Sequence, residues 1–257
     1  MTLAKQQREH IQDVIKTCLR NKFQNYKPES HNMPFHYRLL GKDRMALYSF
    51  MQSLLTTFGA SIFEPVAVAL SKNKFVKASA QYKLSEKISE NCQLTIQKIM
   101  NNLTIGGNPN KPNEIELLRR SVTTDKINEL KTVKADLFLE NDRGEIFLFD
   151  LKTVKPNLSD FKDFKRMLLE WAGIILTENP KAKVNTIIAI PYNPYEPKPY
   201  ERWTLKGMLD LENELKVAEE FWDFLGGDGA YEDLLECFEQ VGIEMREEID
   251  KYFARFK

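Results

Sequence analysis

Apolar and polar positions change period several times along the chain, and each change marks an element. Residues 3–22 place Ile11, Val14, Ile15, Cys18 and Leu19 at three-and-four spacing, which predicts an amphipathic helix. Residues 24–43, with Pro28 and Pro34, read as irregular. Residues 44–71 read as a helix kinked near Gly59 and Pro65. Another helix is expected over 83–103. The breaker-rich GGNPNKPN (106–113) reads as a loop, and a short helix over Glu114–Val122 follows. The pattern then switches to strands at 135–140 and 145–153. A helix runs through Thr177, capped by Asn157 or Ser159, with a stripe of Phe161, Phe164, Leu168, Trp171 and Ile175. Val184–Ile190 reads as a buried strand, 191–203 as a proline- and aromatic-rich loop, and the remainder as helix punctuated by Gly226, Gly227 and Gly229. Helix, hairpin, helix, strand predicts an α/β fold with a mixed sheet flanked by helices.

The paired strands carry the chemistry. Ala135–Glu140 and Glu145–Thr153 flank Asn141-Asp142-Arg143-Gly144, which has turn residues and a glycine free to take positive φ. If Asn141 pairs with Glu145, paired numbers sum to 286 and Asp136 faces Asp150. Their Cβ atoms are then about 4.5–5.5 Å apart, and Lys152 shares their face. Opposed carboxylates destabilise a sheet, so their retention calls for a cation. Mg²⁺ takes hard oxygen ligands, often only one or two carboxylates, and a neighbouring lysine can hold a phosphate oxygen or orient the attacking water. The acid-x-Lys triplet alone says little, because the chain has six, at Glu129, Asp150, Asp160, Asp163, Glu196 and Glu214. Only the one at Asp150 ends an apolar strand with an acid across a hairpin. The plainer alternative is a solvated hairpin end with an ordinary ion pair.

Composition narrows the field. A chain of 257 residues can bury a large core as one domain, whose parts read as a mostly helical 1–122, a catalytic core over 131–206 and an acidic helical 207–257. No apolar run approaches a membrane span, and MTLAKQQREHIQD lacks a signal core, so a cytoplasmic protein is expected. Cys18, Cys92 and Cys237 and the three histidines lack metal-ligand spacing, which argues against a disulfide framework, zinc chemistry and a Ser-His-Asp site. The net charge of zero hides an asymmetry. Residues 1–206 hold 32 Lys+Arg against 22 Asp+Glu, while 207–257 hold 5 against 15. That suits a polyanion on one face.

Asp136 followed by Asp150-Leu151-Lys152 resembles the PD-(D/E)xK nuclease core, with Ala135 in place of the usual proline. FLFDLKTVKPN (147–157), FKRMLLEWAG (164–173), PYNPYEPKPYERW (191–203) and FWDFLGG (221–227), with weaker likeness around FGASIFE (58–64), resemble the TdeIII-type family of type II restriction endonucleases. The resemblance implies a restriction-endonuclease-like fold and a homodimer that cuts double-stranded DNA at a short palindrome, such as the interrupted GGNCC, to leave 5′-phosphates. It implies Mg²⁺ held by Asp136, Asp150 and the Leu151 carbonyl, with Lys152 acting on the water and Glu64, on the upstream helix, near the metal. Lys155, Lys162, Lys165 and Arg166 are candidate phosphate contacts, and Asn193, Lys198 and Arg202 candidate groove contacts. Arg119 and Arg120 have weaker grounds. Two other readings stay open: a repair or recombination nuclease that reads DNA structure, and a DNA-binding protein with an inactive nuclease fold.

Overall fold

The computed structural model describes residues 3–27, 33–123, 126–152, 160–200 and 207–256. A five-stranded mixed sheet organises them, in the order β1 (Lys77–Lys83), β4 (Lys134–Glu140), β5 (Glu145–Leu151), β6 (Lys183–Ile190), β7 (Leu215–Val217). β1, β4 and β5 are antiparallel neighbours, whereas β5, β6 and β7 run parallel. The crossover between β5 and β6 contains helix α7 (Asp160–Glu178), as a parallel connection requires. β2 (Lys87–Ser89) and β3 (Ile127–Glu129) form a separate two-stranded ladder.

Each face of the sheet has its own core. On one, α5 (Glu90–Thr104), α6 (Lys111–Ser121) and α7 pack with Leu148, Val184 and Ile188. On the other, α1 (Lys5–Asn25), α4 (Glu64–Ser71), α9 (Glu219–Gly226) and α10 (Ala230–Glu244) pack with Leu137, Phe149 and Ile187. Burial on both faces explains why β5 and β6 read as almost unbroken apolar runs. The acidic C-terminal helices are tied to the basic first helix by Arg8–Asp233, Lys16–Glu244 and Arg20–Glu248. Much of the charge asymmetry is therefore spent inside the molecule.

The α1 stripe buries Ile11 and Ile15, and Cys92 and Cys237 are small buried side chains with free thiols. α3 (Lys42–Thr57) passes through a π-helical segment, Phe58–Phe63, into α4, with a 53° bend between the two arms. That is the kink expected at Gly59 and Pro65. Four expectations need correction. The stretch 24–43 contains α2 (Pro34–Leu40), opened by a proline suited to a first helical turn. The helix expected from 83 starts only at Glu90, because the preceding residues form the end of β1 and all of β2. Lys111-Pro112-Asn113 belongs to α6, where the Asn110 side chain caps the Asn113 N–H. β7 interrupts the C-terminal helices between α8 (Leu211–Glu214) and α9; three residues are too short to show a period. Strand β5 ends at Leu151, and Thr153 and the capping residues Asn157 and Ser159 lie outside the described residues.

Candidate active site

The hairpin folds in the expected register: Leu137 pairs with Phe149, Phe138 with Leu148, Leu139 with Phe147 and Glu140 with Ile146. Gly144 takes φ +71° in the turn, and the Asn141 side chain accepts from the Glu145 N–H at 2.9 Å. At the other end the ladder stops after Leu137–Phe149. There the Asp136 carboxylate replaces a backbone acceptor, taking the Leu151 N–H on Oδ2 at 2.8 Å. The Lys152 N–H turns away to the Ala189 carbonyl of β6 at 2.9 Å. Asp136, Asp150 and Lys152 thus meet where β5 passes from one neighbour to the other.

Asp150 is 5% exposed. Its Oδ1 accepts from Lys152 Nζ at 2.8 Å. Its Oδ2 is buried without a hydrogen-bond partner, and Trp171 Nε1 is the one other such side-chain atom among the described residues. Burial, reinforced by Asp136, outweighs Lys152 and pushes the Asp150 carboxyl up to about 6. Lys152 stays half-exposed, with Nζ 5.0 Å from the Phe164 ring centre on α7. Glu64, the first residue of α4, reaches the same place from the opposite layer. It is 2% exposed, and burial, with Asp136 and Asp150 adding to it, raises its carboxyl to about 7 against the pull of Gln81.

Gln81 is the site residue that pattern reading missed. Its Nε2 lies 3.0 and 2.9 Å from the two Glu64 oxygens and 3.3 Å from Asp136 Oδ1. KASAQYK alternates polar and apolar positions, but two of its three apolar residues are alanines, so the strand signal is weak and nothing in it singles out the glutamine.

The acids fit a hard divalent cation. The Gln81 amide bridges Glu64 and Asp136, Lys152 pairs with Asp150, and the buried Oδ2 of Asp150 has no donor. Among the described residues no three His, Cys, Asp or Glu side chains form a ready-made metal cage. Mg²⁺ does not demand one, since it keeps waters and takes few protein ligands.

The sequence has counterparts among known proteins. Residues 3–242 match the family model of the type II restriction endonuclease HinfI. The chain belongs to the HinfI family of type II restriction endonucleases. It is accordingly a site-specific deoxyribonuclease acting on double-stranded DNA. The chain is 27% identical to the type II restriction enzyme HgiCII of Herpetosiphon aurantiacus over 222 residues, 85% of this chain and 80% of that one. It is 28% identical to the type II restriction enzyme MjaII of Methanocaldococcus jannaschii over 258 residues, 89% of this chain and 68% of that one. The narrower likeness to TdeIII-type enzymes rests on the sequence segments alone.

The remaining candidates of this HinfI-family chain fall in different places. Lys162 and Lys198 are exposed. Arg166 donates to Gln97 at 2.8 Å on the surface. Lys165 does not reach the surface: it is wholly buried, 2.5 Å from Glu114 Oε2 and 2.6 Å from Glu214 Oε2. The expected phosphate contact is corrected for that reason. The Asn193 amide is used within its own loop, donating to the Lys198 carbonyl at 2.7 Å and accepting from the Tyr195 N–H at 3.0 Å. That loop is moored to α9 by Trp222 Nε1, which donates to the Pro191 carbonyl at 2.7 Å and joins two of the resembling segments. Arg119 braces the carbonyls of Pro180 and Ala182, and Arg120 pairs with Glu116. Lys155 and Arg202 lie outside the described residues.

Proposed function

We propose that this endonuclease is a Mg²⁺-dependent enzyme whose acid set is Asp136, Asp150, the Leu151 carbonyl and Glu64. The partnerless Oδ2 of Asp150, buried beside two further acids, is the observation that carries the reading. Bound Mg²⁺ would supply Lewis acidity at the scissile phosphate and at the attacking water. Asp136 and Asp150 would hold it from adjacent strands, and the Asp136–Leu151 hydrogen bond fixes one to the backbone beside the other. Lys152, paired with Asp150 at 2.8 Å, keeps its ammonium at the open side of the site. There it orients the water or takes up its proton, while the exposed Lys162 contacts neighbouring phosphates. Glu64, raised to about 7 by burial, would have to give up its proton to serve as a ligand.

One such centre per chain cuts one strand, so we assign the cutting form to a homodimer on a short, interrupted GC-rich palindrome such as GGNCC. Symmetric sites are matched by two-fold proteins. A surface supports the pairing. Eight of the seventeen exposed large apolar side chains among the described residues lie between Met33 and Leu55 on α2 and α3, with Phe35 and Leu39 each 83% exposed. Monomers rarely cluster exposed apolar side chains in this way, and such clusters often mark protein–protein contact sites. The single-domain organisation and a cytoplasmic location belong to the same proposal; no single described helix is long and apolar enough to cross a membrane.

The test is incubation with unmethylated phage DNA in Mg²⁺ and in EDTA. Discrete Mg²⁺-dependent fragments with 5′-phosphate ends at one palindrome are expected. Equal cutting in EDTA, or cleavage confined to branched DNA, would refute it.

A further inference from the structure

Gln81 stands in the middle of β1 opposite Asp136. Paired numbers sum to 217 on both sides of it, from Lys77–Glu140 through Ala80–Leu137 and again at Tyr82–Ala135, but Gln81 and Asp136 themselves drop out of the ladder. No residue is inserted, so the interruption is a change of backbone conformation. Gln81 takes φ +49°, one of two non-glycine residues with positive φ among those described. The left-handed region is strained for an L-amino acid, and such strain persists where the surroundings impose it and often marks functional sites.

The distortion carries the side chain into the acid set. An ionised carboxylate only accepts, so the amide presents its NH₂ group, and two hydrogens serve three oxygens on Glu64 and Asp136. Three different elements, α4, β1 and β4, supply the partners. A neutral donor therefore holds together two acids that would otherwise repel.

We propose that Gln81 is a positioning residue of the metal centre: it fixes Glu64 against Asp136 before the cation arrives, so that the acids need not reorganise to bind it. This rests on the reading of the acid set as a divalent-cation site. Partners of this kind, one step behind the ligands, typically govern about 10- to 100-fold in metal affinity.

The alternative is that the kink matters and the amide does not. Gln81→Gly separates them, because glycine adopts the left-handed conformation freely while removing the amide. Gln81→Met keeps the length and the strain and removes the donors. The measurement is Ca²⁺ titration calorimetry on the full chain, with thermal melting of the same samples. We expect both variants to bind Ca²⁺ at least tenfold more weakly than wild type, although Gln81→Gly stays folded and melts within a few degrees of wild type. Wild-type affinity in Gln81→Gly, at any melting temperature, would overturn the proposal. Absence of Asp150-dependent Ca²⁺ binding in the wild type would instead remove the cation site itself, and the part assigned to Gln81 with it.

Discussion

Lys152 and Lys165 each close an acid-x-Lys triplet, and folding sends them to opposite surroundings. Lys165 enters a buried cluster with Lys111, Glu114 and Glu214, in which Lys111 Nζ also lies 2.5 Å from Thr186 Oγ1 and 2.9 Å from Glu214 Oε1. Two lysines face two glutamates, and a backbone N–H from Asp210 completes the Glu214 shell at 2.9 Å. Burial pushes the Glu214 carboxyl up, but the two lysines more than offset it, so it titrates below the ordinary range. Lys152 sits in a cluster that does not balance: Glu64, Asp136 and Asp150 against one half-exposed ammonium and a neutral amide. Two of its acids titrate high, and one oxygen has no donor. A closed charge cluster joins elements; an open one is short of a cation. The difference lies in the remote partners, not in the triplet.

That contrast can be broken at several points. The largest effect is expected on catalysis: Lys152→Ala should slow cleavage by about 10²–10⁴ while leaving the melting temperature within a few degrees. Single-turnover rates on a defined duplex measure it. Lys165→Met should do the reverse. It leaves Glu114 and Glu214 buried with less compensation, and a stability loss of about 3–5 kcal/mol is expected in denaturant titration. Glu64→Gln tests the open cluster through pH. A carboxyl raised in the folded state binds its proton more tightly there than in the unfolded chain. In EDTA, the wild type should therefore lose stability as pH rises from about 4.5 to about 7. Glu64→Gln should flatten that loss, by up to about 3 kcal/mol, in melts across the window. The smallest effect belongs to the outer surface: Lys162→Ala should weaken duplex binding at all sequences alike and reduce the salt slope by about 1.

The hairpin was legible because strand period and turn length together define a register, and the 286 pairing follows from counting. The α7 stripe was legible for the same reason: Phe161, Leu168, Trp171 and Ile175 are all buried at helical spacing. The opposite side of that helix was not. Lys162 and Lys165 look alike in sequence, and only Glu114 and Glu214, brought from α6 and the turn before β7, decide that one is inside. Glu64 could be nominated by resemblance, but Gln81, which touches both Glu64 and Asp136, could not: its strand alternates only through Ala78, Ala80 and Tyr82, and propensity would not select its positive φ.

Asp150→Asn, assayed for both cleavage and specific binding of the same duplex in Mg²⁺, tests the central claim most directly. The account predicts no detectable cleavage, retained site-specific binding and a melting temperature at or above wild type, because a buried charge with an unpartnered oxygen has been removed. A variant that still cuts would show that the open cluster is not the active site.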